Sequence, residues 1–236
     1  MDKPHHDEFH KGGMGTHLNA LRAAVLGAND GIVSTASLVL GVAGAAASSE
    51  VILITGVAGL TAGALSMAVG EYVSVSTQRD TEKALLAKER YELEHTPKHE
   101  LAELVSIYEA KGLTPQTAQK VAEELTVRDA FAAHVDAELG INPNALTNPW
   151  HAAYASAASF TAGSLIPIFA ITLPSEDLRV PITFASVLIA LMVTGSLSAY
   201  AGGSSQRVAT VRVVFGGLLA MAITYGIGTL FGVEGI

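Results

Sequence analysis

Apolar and polar positions segregate along this chain into blocks much longer than the repeat of a surface helix or strand. Five mostly apolar runs, at about 23–46, 51–76, 150–173, 180–201 and 208–233, each reach the roughly 20 residues a helix needs to cross a hydrocarbon layer. The first is too long for a secretory signal core and leads directly into a second spanning run, which predicts a retained helix. Between the second and third runs lies a polar stretch, 77–149, that reads as helices throughout. Run two continues through STQRDTEKALLAKERYELEH with no breaker before Pro97. KHELAELVSIYEAKG closes at Gly112, and Thr114-Pro115 opens the next helix with proline in the first turn, where its missing N–H is no loss. VRDAFAAHVDAELG then ends at Gly140. The pattern predicts an all-α polytopic membrane protein: spans one and two within 18–76, a helical insert at 77–149, and spans three to five within 150–236. Residues 1–17 carry His5, His6, His10 and His17 without apolar periodicity and read as a disordered tail, with weak metal capture by the histidines as the other reading.

An odd number of spans puts the termini on opposite sides and the insert on the side of the N-terminus. Lys3, Lys11, Arg22, the basic residues from Arg79 to Arg128, Arg207 and Arg212 share that side, whereas Arg179 stands alone on the other. The positive-inside rule then makes the N-terminus and the insert cytoplasmic.

Composition agrees and excludes several classes. Charged residues make up 15% of the chain, against about 25% in soluble domains, and most of them lie in the insert. With no cysteine there is no disulfide, thiolate metal site or cysteine nucleophile. A net charge of −8 offers no basic footprint for nucleic acid. Glycines four apart, Gly27 with Gly31 and Gly59 with Gly63, predict close helix packing. Thr-Ala-Gly-x-Leu recurs at Thr61 and Thr161, a faint sign of duplicated helix pairs.

The candidate chemistry sits where ionisable groups are expensive. Asp30 and Glu71 lie within predicted spans, where a carboxylate normally faces the bundle interior and marks an ion or proton route. Met67, four residues before Glu71, shares its helix face, so the first two spans can present two carboxylates and a thioether to one cavity. A structural pair of Asp30 with Arg22 or Asn29, snorkelling of Glu71 and core packing of Met67 are the competing readings. In the insert, thirteen carboxylates face seven Lys or Arg between Asp80 and Glu138. Glu89 with Glu92, Glu100 with Glu103, and His134 with Glu138 each share a helix face. Such crowding is offset either by a divalent cation, for which these donors suit Fe²⁺, Mn²⁺ or Ca²⁺ better than Zn²⁺ or Cu⁺, or by solvent with Lys88, Arg90 and Lys98.

Four stretches, RAAVLGANDGIVSTASLVLGVAGA from Arg22, GALSMAVGEYVSVSTQRD from Gly63, ELAELVSIYEAKGL from Glu100 and ELGINPNALTNPWHAAYASAASFTAGSLIP from Glu138, carry a resemblance. The chain resembles the vacuolar iron transporter family in its bacterial form, over nearly everything after the tail. That resemblance implies five transmembrane helices, a homodimer with a path between protomers, and proton-coupled export of Fe²⁺ from the cytosol. Location in a bacterial inner membrane is the expectation. The family's transport-site aspartate and methionine correspond to Asp30 and Met67. Its metal-binding glutamates correspond to Glu89, Glu92, Glu100, Glu103 and Glu138, with Glu123, Glu124 or Asp136 as substitutes for the last. The resemblance implies a transporter, not an enzyme, with no resident cofactor and Fe²⁺ or Mn²⁺ as the ion carried. A broad divalent or Mn²⁺ exporter, a membrane-bound carboxylate ferroxidase and a metal sensor are the alternatives.

Overall fold

The computed structural model describes residues 14–232, with side chains described from Ala24 onward except at Ala201. Seven α-helices follow in order: α1 (Met14–Gly44), α2 (Ser49–His95), α3 (Pro97–Ala110), α4 (Pro115–His134), α5 (Pro149–Thr172), α6 (Glu176–Ala201) and α7 (Gln206–Gly232), with a π-helical turn at Val135–Leu139 between α4 and α5. No strand occurs among the described residues. Among the described residues five helices are long and apolar enough to cross a membrane: α1 from Ala24, α2, α5, α6 and α7. They coincide with the five apolar runs. Helix α1 begins at Met14, since neither proline nor paired glycine interrupts the chain after Gly15, so 14–17 are helical where a disordered tail is expected. The rest of that tail, with His5, His6 and His10, lies outside the described residues.

The chain divides into two compact units, one of residues up to Val73 with Pro149 onward, the other Ser74–Asn148. Helix α1 is the hub of the first, packing against α5, α6 and α7. Its buried residues Ile32, Ala36, Val39, Leu40 and Ala43 recur at steps of three and four, one stripe of a helix, and meet Ile171, Val187, Leu191 and Met221. The opposite stripe of α1, carrying Asp30, Ser34 and Leu38, is exposed in the single chain.

Lipid is as apolar as leucine, so these helices associate through close contact rather than exclusion of water. At the α1–α5 crossing two glycines remove the side chains that would hold the backbones apart. A Cβ on Gly31 would run into the carbonyl of Phe160, and one on Gly163 into the carbonyl of Ala28. Tyr72 meets Trp150 at a tilt, centroids 4.7 Å apart, and Trp150 stacks on Tyr154 at 5.9 Å; Trp150 and Tyr154 are mostly exposed. Such a group is typical of a membrane–water boundary.

In the second unit the punctuation read from sequence governs the chain. Helix α3 starts at Pro97, and Gly112 turns it back with φ 99°, a conformation a Cβ would oppose. Thr114 caps α4 by accepting the N–H of Thr117. The sequence leads one to expect a separate last helix from Val127. The break falls two residues later: within Pro115–His134 the backbone of Asp129 is extended, φ −166° and ψ 95°, and its Oδ1 accepts the N–H of Ala132 at 2.9 Å and restarts the helix. Val135–Leu139 widens into a π turn ended by Gly140 at φ 61°. The apolar core of this unit is small: Leu104, Ala118, Ala122 and Val135.

The crossing gives the first prediction. Gly163→Ala should lower the melting temperature of the detergent-solubilised chain, with an overpacking loss of about 1–3 kcal/mol. Gly216→Ala, at a position with nothing within 4 Å, should leave it unchanged or slightly raised. Scanning fluorimetry of both variants beside the parent checks this; equal melting curves would refute the crossing as drawn.

Candidate metal centres

The first unit holds a cavity of about 230 Å³ lined by Asp30, Ser34, Thr35 and Leu38 of α1, Gly59, Gly63, Ser66 and Met67 of α2, and Phe160 of α5. Two of the expected path residues, Asp30 and Met67, thus meet here. Helical spacing positions them: Asp30, Ser34 and Leu38 form one stripe of α1, and Gly59, Gly63 and Met67 one stripe of α2. The glycines admit neighbours that larger residues would exclude, since Phe160 lies on Gly63 and Leu38 on Gly59. Glu71 is half-buried one turn beyond Met67 and does not line the cavity. It stands beside Tyr72, at the level of the aromatic group. Asn29 faces away from Asp30, toward Thr194, Gly195 and Ser198. Ser34, Thr35, Ser66 and Phe160 are lining residues that sequence reasoning passed over; Ser34, four residues after Asp30, was within reach of the same spacing argument.

In the second unit Glu89 from α2, Glu100 from α3 and His134 from α4 converge. All three are buried, and one ligand atom from each lies within 4.8 Å of the other two. His134 Nδ1 stands 3.1 Å from Glu89 Oε1, 3.9 Å from Glu100 Oε2 and 3.8 Å from Glu138 Oε2. Proximity is not satisfaction here, because both ring nitrogens of His134 and Glu89 Oε1 lack a hydrogen bond of proper geometry. Orphaned buried polar atoms are costly, so a centre of this kind is completed by something that accepts lone pairs. Oxygen and imidazole donors without thiolate suit Fe²⁺ or Mn²⁺. Glu100 is shared with a second group, as His99, Glu100 and Glu103 bring ligand atoms equally close, with His99 exposed. Thr96 Oγ1 donates to Glu100 Oε1 at 3.4 Å.

Of the expected insert ligands, Glu89, Glu100, Glu103 and Glu138 gather in or beside these groups, with His134 at the centre of the first. Glu92 is drawn to Lys88, 3.2 Å away and one turn earlier. Asp136 is exposed and lines a different cavity with Arg128 and Asp129. Arg90 lies 4.5 Å above the Phe131 ring rather than on a carboxylate. His99, not foreseen, precedes Glu100 directly; only burial of its neighbour gives it meaning.

Burial, chiefly, pushes the Glu89 carboxyl up to about 7, with the charges of Glu138 and Glu100, a hydrogen bond with Glu138 and the charge of Glu92 adding to it. Glu89 therefore keeps its proton in the folded chain at pH values where the unfolded chain has released it.

A model of the VIT family matches residues 21–229. The chain belongs to the VIT family. It is 44% identical over 224 residues to a protein named vacuolar iron transporter from Acanthamoeba castellanii, covering 94% of this chain and 82% of that one. It is 35% identical to vacuolar iron transporter homolog 2 of Arabidopsis thaliana, over 92% of this chain and 86% of the relative. To vacuolar iron transporter homolog 1 of Oryza sativa it is 37% identical, over 92% and 75%.

The raised Glu89 carboxyl predicts a pH slope for this VIT family member. Between the ordinary value of 4.5 and about 7 the folded state binds more protons at Glu89 than the unfolded state. This group's contribution to stability therefore falls as pH rises through that window and is level above it. Melting without metal at pH 5 to 8 should show the decline; Glu89→Gln should reduce it, and saturating Mn²⁺ should raise stability most at the alkaline end, where the ligands are free of protons. An unchanged slope in Glu89→Gln would remove the assignment.

Proposed function

We propose that the chain is a metal transporter that exports Fe²⁺ or Mn²⁺ from the cytoplasm in exchange for protons. The observation that carries this reading is the cavity among the spanning helices that joins the Asp30 carboxylate to the Met67 thioether. A carboxylate within a spanning helix is expensive and normally marks an ion or proton route, and it supplies the charge a dehydrating cation needs. The thioether adds softness that favours Fe²⁺ over Mg²⁺ or Ca²⁺. The names of the relatives support iron as cargo.

In this reading the insert is cytoplasmic, as the distribution of Lys and Arg favours, and its Glu89, Glu100 and His134 collect the cation before it enters the path. Asp30, and Glu71 nearer the aromatic boundary, hold either the metal or a proton, so occupancy by one excludes the other. The exposed stripe of Asp30, Ser34 and Leu38 requires cover in a bilayer; a second copy of the chain, making a homodimer in the bacterial inner membrane, supplies it. No resident cofactor and no enzymatic step enter this scheme.

Purified chain in proteoliposomes, given Fe²⁺, Mn²⁺, Zn²⁺ or Ca²⁺ under an imposed pH gradient with a pH dye inside, tests the reading. Fe²⁺ or Mn²⁺ flux with opposed proton movement is expected, and Asp30→Asn should abolish it while leaving cation binding by the insert intact. Glu100→Gln with Glu103→Gln should slow flux without eliminating it. Full flux in Asp30→Asn would overturn the proposed path, and flux without any pH change would replace antiport by uniport.

A further inference from the structure

The walls of the Asp30 cavity contain a relay of hydroxyls whose proton directions are determined by counting. Ser164 of α5 is fully buried, and its Oγ donates to the carbonyl of Gly31 at 3.2 Å. A serine hydroxyl has one proton, and a carbonyl has none to give. The 2.9 Å bond between Thr35 Oγ1 and Ser164 Oγ must therefore use the proton of Thr35. Thr35 is 2% exposed and lines the cavity, and with its proton committed to Ser164 its hydroxyl oxygen keeps only lone pairs to offer. Ser34, the neighbouring lining residue, is committed in the same way, since its Oγ donates to the carbonyl of Asp30 at 2.6 Å. Main-chain carbonyls thus absorb, directly or through Ser164, the protons of both α1 hydroxyls at the cavity wall.

We propose that Thr35 is a cation ligand of the transport cavity, held acceptor-only by Ser164 and Gly31. Resting on the transport reading above, it extends that reading by adding a neutral oxygen to the Asp30 carboxylate and the Met67 thioether. A hard neutral oxygen beside a soft sulfur suits a borderline divalent cation such as Fe²⁺ or Mn²⁺. It also gives Ser164, on a different helix, the part of a positioning residue: without it the Thr35 proton is free to turn toward the cation and repel it.

The full chain in proteoliposomes, with Mn²⁺ alone as probe, tests the assignment. Thr35→Val keeps shape and removes the oxygen; it should raise KM for Mn²⁺ about 10-fold, the order of one lost contact to a charged group, with a smaller change in maximal rate. Thr35→Ser should restore the parental KM, which a purely steric role for the threonine methyl would not do. Ser164→Ala should fall between the two. A parental KM in Thr35→Val, with Asp30→Asn inactive, would overturn the ligand role and leave the transport reading standing.

Should the parent carry no flux, the transport reading fails, and Mn²⁺ titration followed by electron paramagnetic resonance decides on Thr35. The detergent-solubilised full chain carrying Glu89→Gln and Glu100→Gln reports the cavity. Asp30-dependent binding weakened by Thr35→Val upholds the ligand assignment; binding indifferent to Thr35, or none at millimolar Mn²⁺, overturns it.

Discussion

The contact on which the spanning unit depends is the meeting of two bare stretches of backbone, α1 at Gly31 and α5 at Gly163. Hydrocarbon solvent gives apolar side chains little reason to prefer one another to lipid, so helices in it are held by dense contact and by hydrogen bonds whose alternative is no partner at all. Both are present at this crossing. The glycines let the main chains touch, and at that separation the Ser164 hydroxyl reaches the Gly31 carbonyl and the Thr35 hydroxyl reaches Ser164. The same approach lays the Phe160 ring over Gly63 of α2 and so forms one wall of the cavity. Packing, polar satisfaction and cavity shape are here consequences of a single interhelical distance.

The insert is organised on the opposite principle. Its apolar core amounts to a few small and medium side chains, while Glu89, Glu100 and His134 are buried together with lone pairs unmatched. A fold that places its least satisfied groups at its centre has local stability below what its helices alone would give, and it gains most from a partner for those groups. Backbone irregularities frame the same place. The kink at Asp129 and the π turn at Val135–Leu139 stand on either side of His134, and departures of that kind concentrate where a side chain must be aimed rather than merely packed.

Much of this architecture was legible in the chain. The five apolar runs match the five long helices because hydrocarbon thickness imposes a length that no local preference overrides. Pro97, Gly112, Thr114-Pro115 and Gly140 marked helix ends, since a missing N–H, a left-handed φ and a cap are local properties. A break before the last helix was legible to within two residues; its place at Asp129 was not, because it is fixed by that residue's own carboxylate accepting the N–H of Ala132. Helical spacing brought Asp30 and Met67 into one frame but assigned Glu71 to it as well, although one further turn carries Glu71 out of the cavity lining. For the insert, spacing identified pairs of carboxylates without distinguishing buried from solvated ones. Glu92 and Glu89 are three residues apart, yet one is paired with Lys88 and the other enclosed. The bond between Thr35 and Ser164 joins residues 129 apart, and no pattern along a chain announces it.

Seen electrically, the orientation of two hydroxyls in the α1 wall has an effect beyond affinity. With the proton of Ser34 turned to the Asp30 carbonyl and that of Thr35 to the Ser164 hydroxyl, the cavity offers an approaching anion little beyond the Ser66 hydroxyl, while the residues that line it carry oxygen and sulfur for a cation. A metal ion entering such a space leaves its chloride or carboxylate companions behind. On the transport reading proposed above a cation enters there without its anions, and each net elementary charge moved through the membrane field exchanges about 2.3 kcal/mol per 100 mV with it. Under the proposed exchange for protons, voltage acts as a second driving force or brake only on the charge that the returning protons leave uncompensated.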